Sequence, residues 1–150
     1  MATNASPTMF SATDNVATRS GDLFLLLARL SMGWLFLASG WMKLTGVAGT
    51  IGYLTNLGVP SPSLMVWLVL GCELLIGITL ILGIAVRYSA VLTFVFLLCA
   101  TALAHRYWTY PAAQQGAQYS HFLKNIALMG GALLLFWSGA GRYSVDARMR

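Results

Sequence analysis

Arg29 to Lys43 reads RLSMGWLFLASGWMK, and the reading of this stretch decides the fold. Arg29, Gly33, Phe36, Gly40 and Lys43 fall at i, i+4, i+7, i+11 and i+14. On a helix that spacing gathers them within a stripe roughly 80° wide, with Leu, Met, Trp and Phe covering the rest of the surface. Charges inside an apolar run are costly and are expected to turn toward other helices and find partners there. Glycines on the same stripe let a neighbouring backbone come close to those charges.

Working outward, the chain as a whole is too apolar for a soluble protein. Hydrophobic residues make up 58% and charged residues 9% of 150 positions, with a mean hydropathy of +0.74. Those proportions predict an integral membrane protein, since a soluble surface needs far more charge. The net charge of +5 does not point to nucleic acid, because the basic residues are scattered near the ends of apolar runs. Cys72 and Cys99 form neither a CxxC nor a metal spacing and read as small buried hydrophobes.

Residues 1–20 are rich in Ser, Thr and Ala without periodicity and predict a disordered tail. Ser20 and Asp22 offer N-cap oxygens to a first span over Leu23–Leu44, long enough for a bilayer core of about 30 Å. Between spans one and two, Ile51, Leu54 and Leu57 predict a short interfacial helix stopped by Gly58 and Pro60. The second span is expected over 63–86 with Glu73 at its middle, and the third over 89–108, ending in HRYW. After a polar loop at 109–118, a fourth span over 119–137 carries His121, Lys124 and Asn125 in its first turns. The expectation is an all-α protein: a four-helix transmembrane bundle over 21–140 with one interfacial helix between helices 1 and 2. A polar, basic tail follows at 141–150. Four spans place both termini on one side, with Arg19, Arg87, Arg142, Arg148 and Arg150, against Lys43, Arg106 and Lys124 on the other. The excess predicts cytoplasmic termini.

Glu73 is the first candidate for chemistry, because a carboxylate at mid-membrane must be paired, protonated or facing water. Counted from the cytoplasmic side, Arg29 lies about 10 Å deep and Glu73 about 18 Å, so an Arg29–Glu73 ion pair is expected. Lys124 approaches Glu73 from the opposite side, and Lys43 either joins it or snorkels outward. A static network locking the helices together would use the same residues. One carboxylate among several cations also suits an anionic or carbonyl-bearing ligand. His105 and His121 sit near the same membrane face; a bis-histidine haem is the sharper reading and interfacial polarity the plainer one. No P-loop, GxGxxG, HExxH or Cys/His metal spacing is present, so no intrinsic metal or cofactor is expected.

Residues 29–46 (RLSMGWLFLASGWMKLTG), Gly58-Val59-Pro60, Glu73 within GCELLIGITLILG, HRYW at 105–108, and HFLKNIALMGGALLL followed by GAGRYSVDA resemble the DoxX family of small four-span membrane proteins. The resemblance runs over about 22–148; Ala140 departs from it where relatives often carry Pro before GRYS. It implies a multi-pass protein of the bacterial inner membrane, associated with quinone-linked respiratory enzymes and tolerance of oxidative stress. Within that family many members are labelled oxidoreductases without a defined reaction. Whether this chain is catalytic or structural stays open at this point. The leading reading is a quinone-binding subunit of membrane redox metabolism, alongside other redox subunits and without a redox cofactor of its own. Glu73 and Arg29 would be catalytic, and Lys43, His105, His121, Lys124 and Asn125 would bind the substrate. The alternative is a non-catalytic scaffold of a larger respiratory complex; a small transporter is weaker, as no broken helix or internal repeat is visible.

Overall fold

A computed structural model describes residues 9–149, with side chains from residue 12 onward. The elements are α1 (Met9–Thr45), α2 (Val47–Asn56), α3 (Pro62–Leu82), α4 (Val86–Ala104), a short 3-10 turn at Tyr107–Thr109, α5 (Ala112–Ser138) and α6 (Val145–Arg148). The all-α membrane bundle is therefore as expected. Helices α1, α3 and α4 belong to the segments long and apolar enough to cross a membrane. Helix α5 has 27 residues but carries its polar groups in its N-terminal half.

The four long helices form two tightly packed antiparallel pairs, α1 with α3 and α4 with α5, and contacts between the pairs are fewer. Glycines set the first pairing. A Cβ on Gly33 would stand 2.9 Å from the Gly77 carbonyl oxygen, and one on Gly77 would stand 2.9 Å from the Leu37 nitrogen. A Cβ on Gly40 would meet Leu74 Cδ2 at 2.8 Å, the free end of a flexible side chain. Gly33→Ala is therefore expected to cost about 1–3 kcal/mol by forcing backbones apart, clearly more than Gly40→Ala, in reversible unfolding in mixed micelles. Equal costs would remove backbone approach as the reason for glycine at 33.

The stripe of α1 faces inward as anticipated: Arg29 is 0% and Phe36 1% exposed, and Gly33 and Gly40 are buried. Trp34, Trp41 and Met42 point outward. Helix α2 follows α1 after Gly46 and buries Leu54, in contact with α3. It ends before Gly58, which takes a left-handed φ of 72°.

Several boundaries differ from expectation. The tail placed at 1–20 is helical from Met9 onward, and its first eight residues lie outside the described part. Extending a helix that the apolar run has nucleated is far easier than starting one, so weak formers such as Ser and Thr are carried along. Ser20 and Asp22 are consequently inside α1, not caps. Asp22 instead accepts from the Arg142 backbone N–H at 2.8 Å. The turn between the second and third long helices is Gly83–Ala85, not Arg87-Tyr88. Gly83 closes α3 in the left-handed region with its N–H on the Thr79 carbonyl. The polar loop expected at 109–118 shrinks because α5 begins at Ala112, directly after Pro111, in an Ala/Gln-rich stretch of good helix formers. The C-terminal tail is docked. Asp146 accepts from the N–H groups of Ala85 at 2.7 Å and Val86 at 3.0 Å, capping α4 from across the fold.

Candidate functional site

At the end of the bundle where α2 lies, the two helix pairs part around a cavity of about 200 Å³. Its inner polar wall belongs to α1 and α3. Ser39 and Lys43 are one helical turn apart, so both reach the same point on α3. Lys43 Nζ lies 2.8 Å from Glu73 Oε1 and 2.9 Å from Oε2. Ser39 Oγ donates to Glu73 Oε1 at 3.0 Å and accepts from Lys43 at 2.8 Å. The Glu73 side chain is only 7% exposed and that of Lys43 27% exposed.

The opposite wall comes from the end of α4 and the start of α5. His105 follows the last residue of α4, and its ring stacks on that of His121 with centroids 5.1 Å apart and 27° between planes. His105 Nδ1 lies 2.8 Å from the amide oxygen of Gln118. That oxygen only accepts, so His105 carries its proton on Nδ1 and leaves Nε2 as an acceptor when neutral. Lys124 Nζ lies 3.3 Å from His121 Nδ1. An ammonium only donates, so neutral His121 carries its proton on Nε2. Asn125 is buried and donates to Thr101 Oγ1 at 3.0 Å, tying α5 to α4 behind the cavity. Leu35, Phe36, Phe96 and Leu97 supply the apolar lining. The aromatic turn after α4 holds this wall in place: Tyr107 meets Trp108, Tyr119 and Phe122 edge-on. The hydroxyls of Tyr53 and Tyr110 both donate to the Ala104 carbonyl at the end of α4. Burial pushes the Tyr53 phenol above its ordinary range, which keeps it a donor.

Six of the seven residues picked out in the sequence line this one cavity: Lys43, Glu73, His105, His121, Lys124 and Asn125. Arg29 does not, and the expected Arg29–Glu73 pair is replaced by Lys43–Glu73. The register fixed by Gly33 on Gly77 and Gly40 on Leu74 puts Glu73 level with the end of α1. Arg29 is some three turns away, and helical side chains lean toward the N-terminus, which carries it farther from Glu73. Its guanidinium donates to Leu80 O at 3.3 Å, a carbonyl in the last turn of α3, and to Tyr143 O. Lys124 lines the cavity, though its hydrogen bond is to His121 and not to Glu73. Ser39 and Gln118 were missed. Ser39 was legible as the lone hydroxyl one turn before Lys43, and Gln118 as a polar residue one turn before Phe122.

With neutral imidazoles, Glu73, Lys43 and Lys124 leave the cavity with one net positive charge, next to free donor and acceptor nitrogens. Among the described residues, no group of three or more His, Cys, Asp or Glu is arranged to hold a metal ion.

Fold and cavity together define a small helical membrane protein with a polar chamber enclosed near one end of its bundle. The chain belongs to the DoxX family, whose pattern matches residues 24–106. The match runs from the apolar part of α1 through Arg106 and stops before α5. Inner membrane protein YphA of Escherichia coli K12 is 32% identical over 126 residues, covering 84% of this chain and 90% of the relative. Inner membrane protein YqjF of the same organism is 37% identical over 125 residues, covering 83% and 91%. No solved structure matches the chain. The relatives and the apolar helices support a protein of the bacterial inner membrane.

Proposed function

We propose that the chain is a membrane subunit of quinone-linked redox metabolism that holds a quinone or quinol head group in the Glu73 cavity. The observation that carries this reading is the convergence of a carboxylate, two ammonium groups and two imidazoles on one chamber that also has Leu35, Phe36, Phe96 and Leu97 in its lining. A volume of about 200 Å³ suits a single substituted ring and leaves an isoprenoid tail in the lipid. His121 Nε2–H donates to a ring carbonyl, and Lys124 donates to it by a charge-assisted bond. Oxidising a quinol releases two protons and two electrons. Glu73 and the open Nε2 of His105 take the protons, and the electrons pass to another redox subunit in the membrane. Arg29 has no part in this step; its role is to hold the C-terminal segment.

The test is a titration of purified protein with a short-chain ubiquinone, read by quenching of tryptophan fluorescence. Glu73→Gln and Lys124→Met are each expected to weaken binding about tenfold or more, equivalent to about 1.4 kcal/mol. A wild-type protein that binds no quinone, yet purifies in fixed ratio with one respiratory complex, would establish the scaffold reading instead.

A further inference from the structure

At the opposite end of the bundle a second cavity, of about 320 Å³, opens between the start of α4 and the segment after α5. Its charged lining groups are Arg87 and Asp146. Asp146 is already committed, since its two oxygens accept from the Ala85 and Val86 N–H groups. The serines are committed as well: Ser138 donates to Leu134 O at 2.7 Å and Ser144 to Gly141 O at 2.6 Å. Arg87 differs. Among the described residues its guanidinium has one acceptor, the Trp137 carbonyl, at 3.4 Å, and the residue is exposed. Five donor hydrogens on a planar fork are therefore largely unspent in a cavity with no free carboxylate among the described residues.

Two further observations point to the same ligand chemistry. Behind Ser144 lies the wholly buried Arg29, with neutral carbonyls as acceptors and a buried Nε that has no hydrogen-bond partner. Its charge adds to the positive potential of this end, and Asp146 offsets only one of the two guanidinium groups. The level of the cavity is set by aromatic residues: Trp137, whose carbonyl Arg87 touches, is 80% exposed, and Tyr88 is 82% exposed. Exposed Trp and Tyr at helix ends mark the membrane–water interface, the depth at which lipid phosphates lie.

We infer that this cavity is a phosphate-binding site, with Arg87 as its principal ligand and a phospholipid headgroup as its occupant. A fork of paired donors matches two phosphate oxygens, which a single point charge does less well.

Delipidated protein in detergent is titrated with short-chain phosphatidylglycerol, with diacylglycerol of the same chain length, and with inorganic phosphate, read by native mass spectrometry and calorimetry. Phosphatidylglycerol is expected to bind at least tenfold more weakly to Arg87→Gln than to wild type. Arg106→Gln, which removes a cation at the other end, is expected to bind like wild type. Circular dichroism checks that each variant keeps its helical content. Phosphatidylglycerol binding well above inorganic phosphate identifies the lipid as occupant. Equal binding of the two, both lost in Arg87→Gln, keeps the site and assigns it to a soluble phosphate compound. Diacylglycerol binding as tightly as phosphatidylglycerol, or unchanged binding in Arg87→Gln, overturns the inference.

Discussion

Lys43→Met should destabilise the protein by about 3–5 kcal/mol, because it strands a buried carboxylate. Glu73 would keep only the Ser39 hydroxyl as a donor, in a chamber where its side chain is 7% exposed. Glu73→Gln should cost less. The amide still accepts from Ser39, and the Lys43 ammonium, with 27% of its side chain exposed, can swing toward water. Combining the two changes should therefore recover most of the loss seen in Lys43→Met alone. Unfolding in mixed micelles measures all three variants. A double variant less stable than Lys43→Met would show that the two groups do not act as a pair. The recovered double variant also tests the proposed function. If it folds and still binds quinone at wild-type strength, Glu73 and Lys43 are structural and the role given to Glu73 falls.

Gly83→Ala is the other change with a large expected effect, and it acts at the far end of the molecule. Gly83 sits at a φ of 70°, where a side chain costs roughly 1–2 kcal/mol. A Cβ there would fall 2.0 Å from Arg29 Nη1 and 2.5 Å from Ser144 Cβ. The first contact could be relieved by moving a guanidinium, but that breaks its bonds to Leu80 and Tyr143. The second can be relieved only by displacing the segment that carries Ser144. A total loss of about 3 kcal/mol or more is expected from strain and overpacking together. The segment 139–148 should also become sensitive to protease. Since Ser144 obstructs independently, adding Arg29→Ala should not restore protection. Full restoration in that double variant would leave Arg29 as the sole reason for glycine at this position.

The inward stripe on α1 was legible because a helix has a fixed period, and five residues at that period suffice to orient it. The gathering of Lys43, Glu73, His121 and Lys124 at one level was legible from their places in successive apolar runs. The pairing of Glu73 was not. Depth counted from helix ends carries an error of several residues at each end, and α1 begins more than ten residues before the apolar run. What selects Lys43 over Arg29 is the interlocking of Gly33 with Gly77, a fact about two helices together. The docked C-terminus was illegible for a similar reason: Asp146 caps a helix sixty residues earlier in the chain. Nothing local in YSVDA announces that partner.

The division of the bundle into two pairs bears on how anything enters the chamber. The side-chain bonds that line it stay within a pair: Lys43 with Glu73 and Ser39 on one side, Asn125 with Thr101 and His105 with Gln118 on the other. One hydrogen bond crosses, from the Tyr53 hydroxyl on α2 to the Ala104 carbonyl of α4 at 3.3 Å. Across the seam the rings of Phe36 and Phe96 meet edge to face with centroids 6.0 Å apart. Such a contact slides at little cost, whereas hydrogen bonds must break. Once the long Tyr53–Ala104 bond gives way, the chamber can gape like a pair of jaws toward the lipid, each jaw internally braced, while its polar side chains stay in place. A hydrophobic guest would enter sideways from the bilayer, and its tail would remain in the gap it came through.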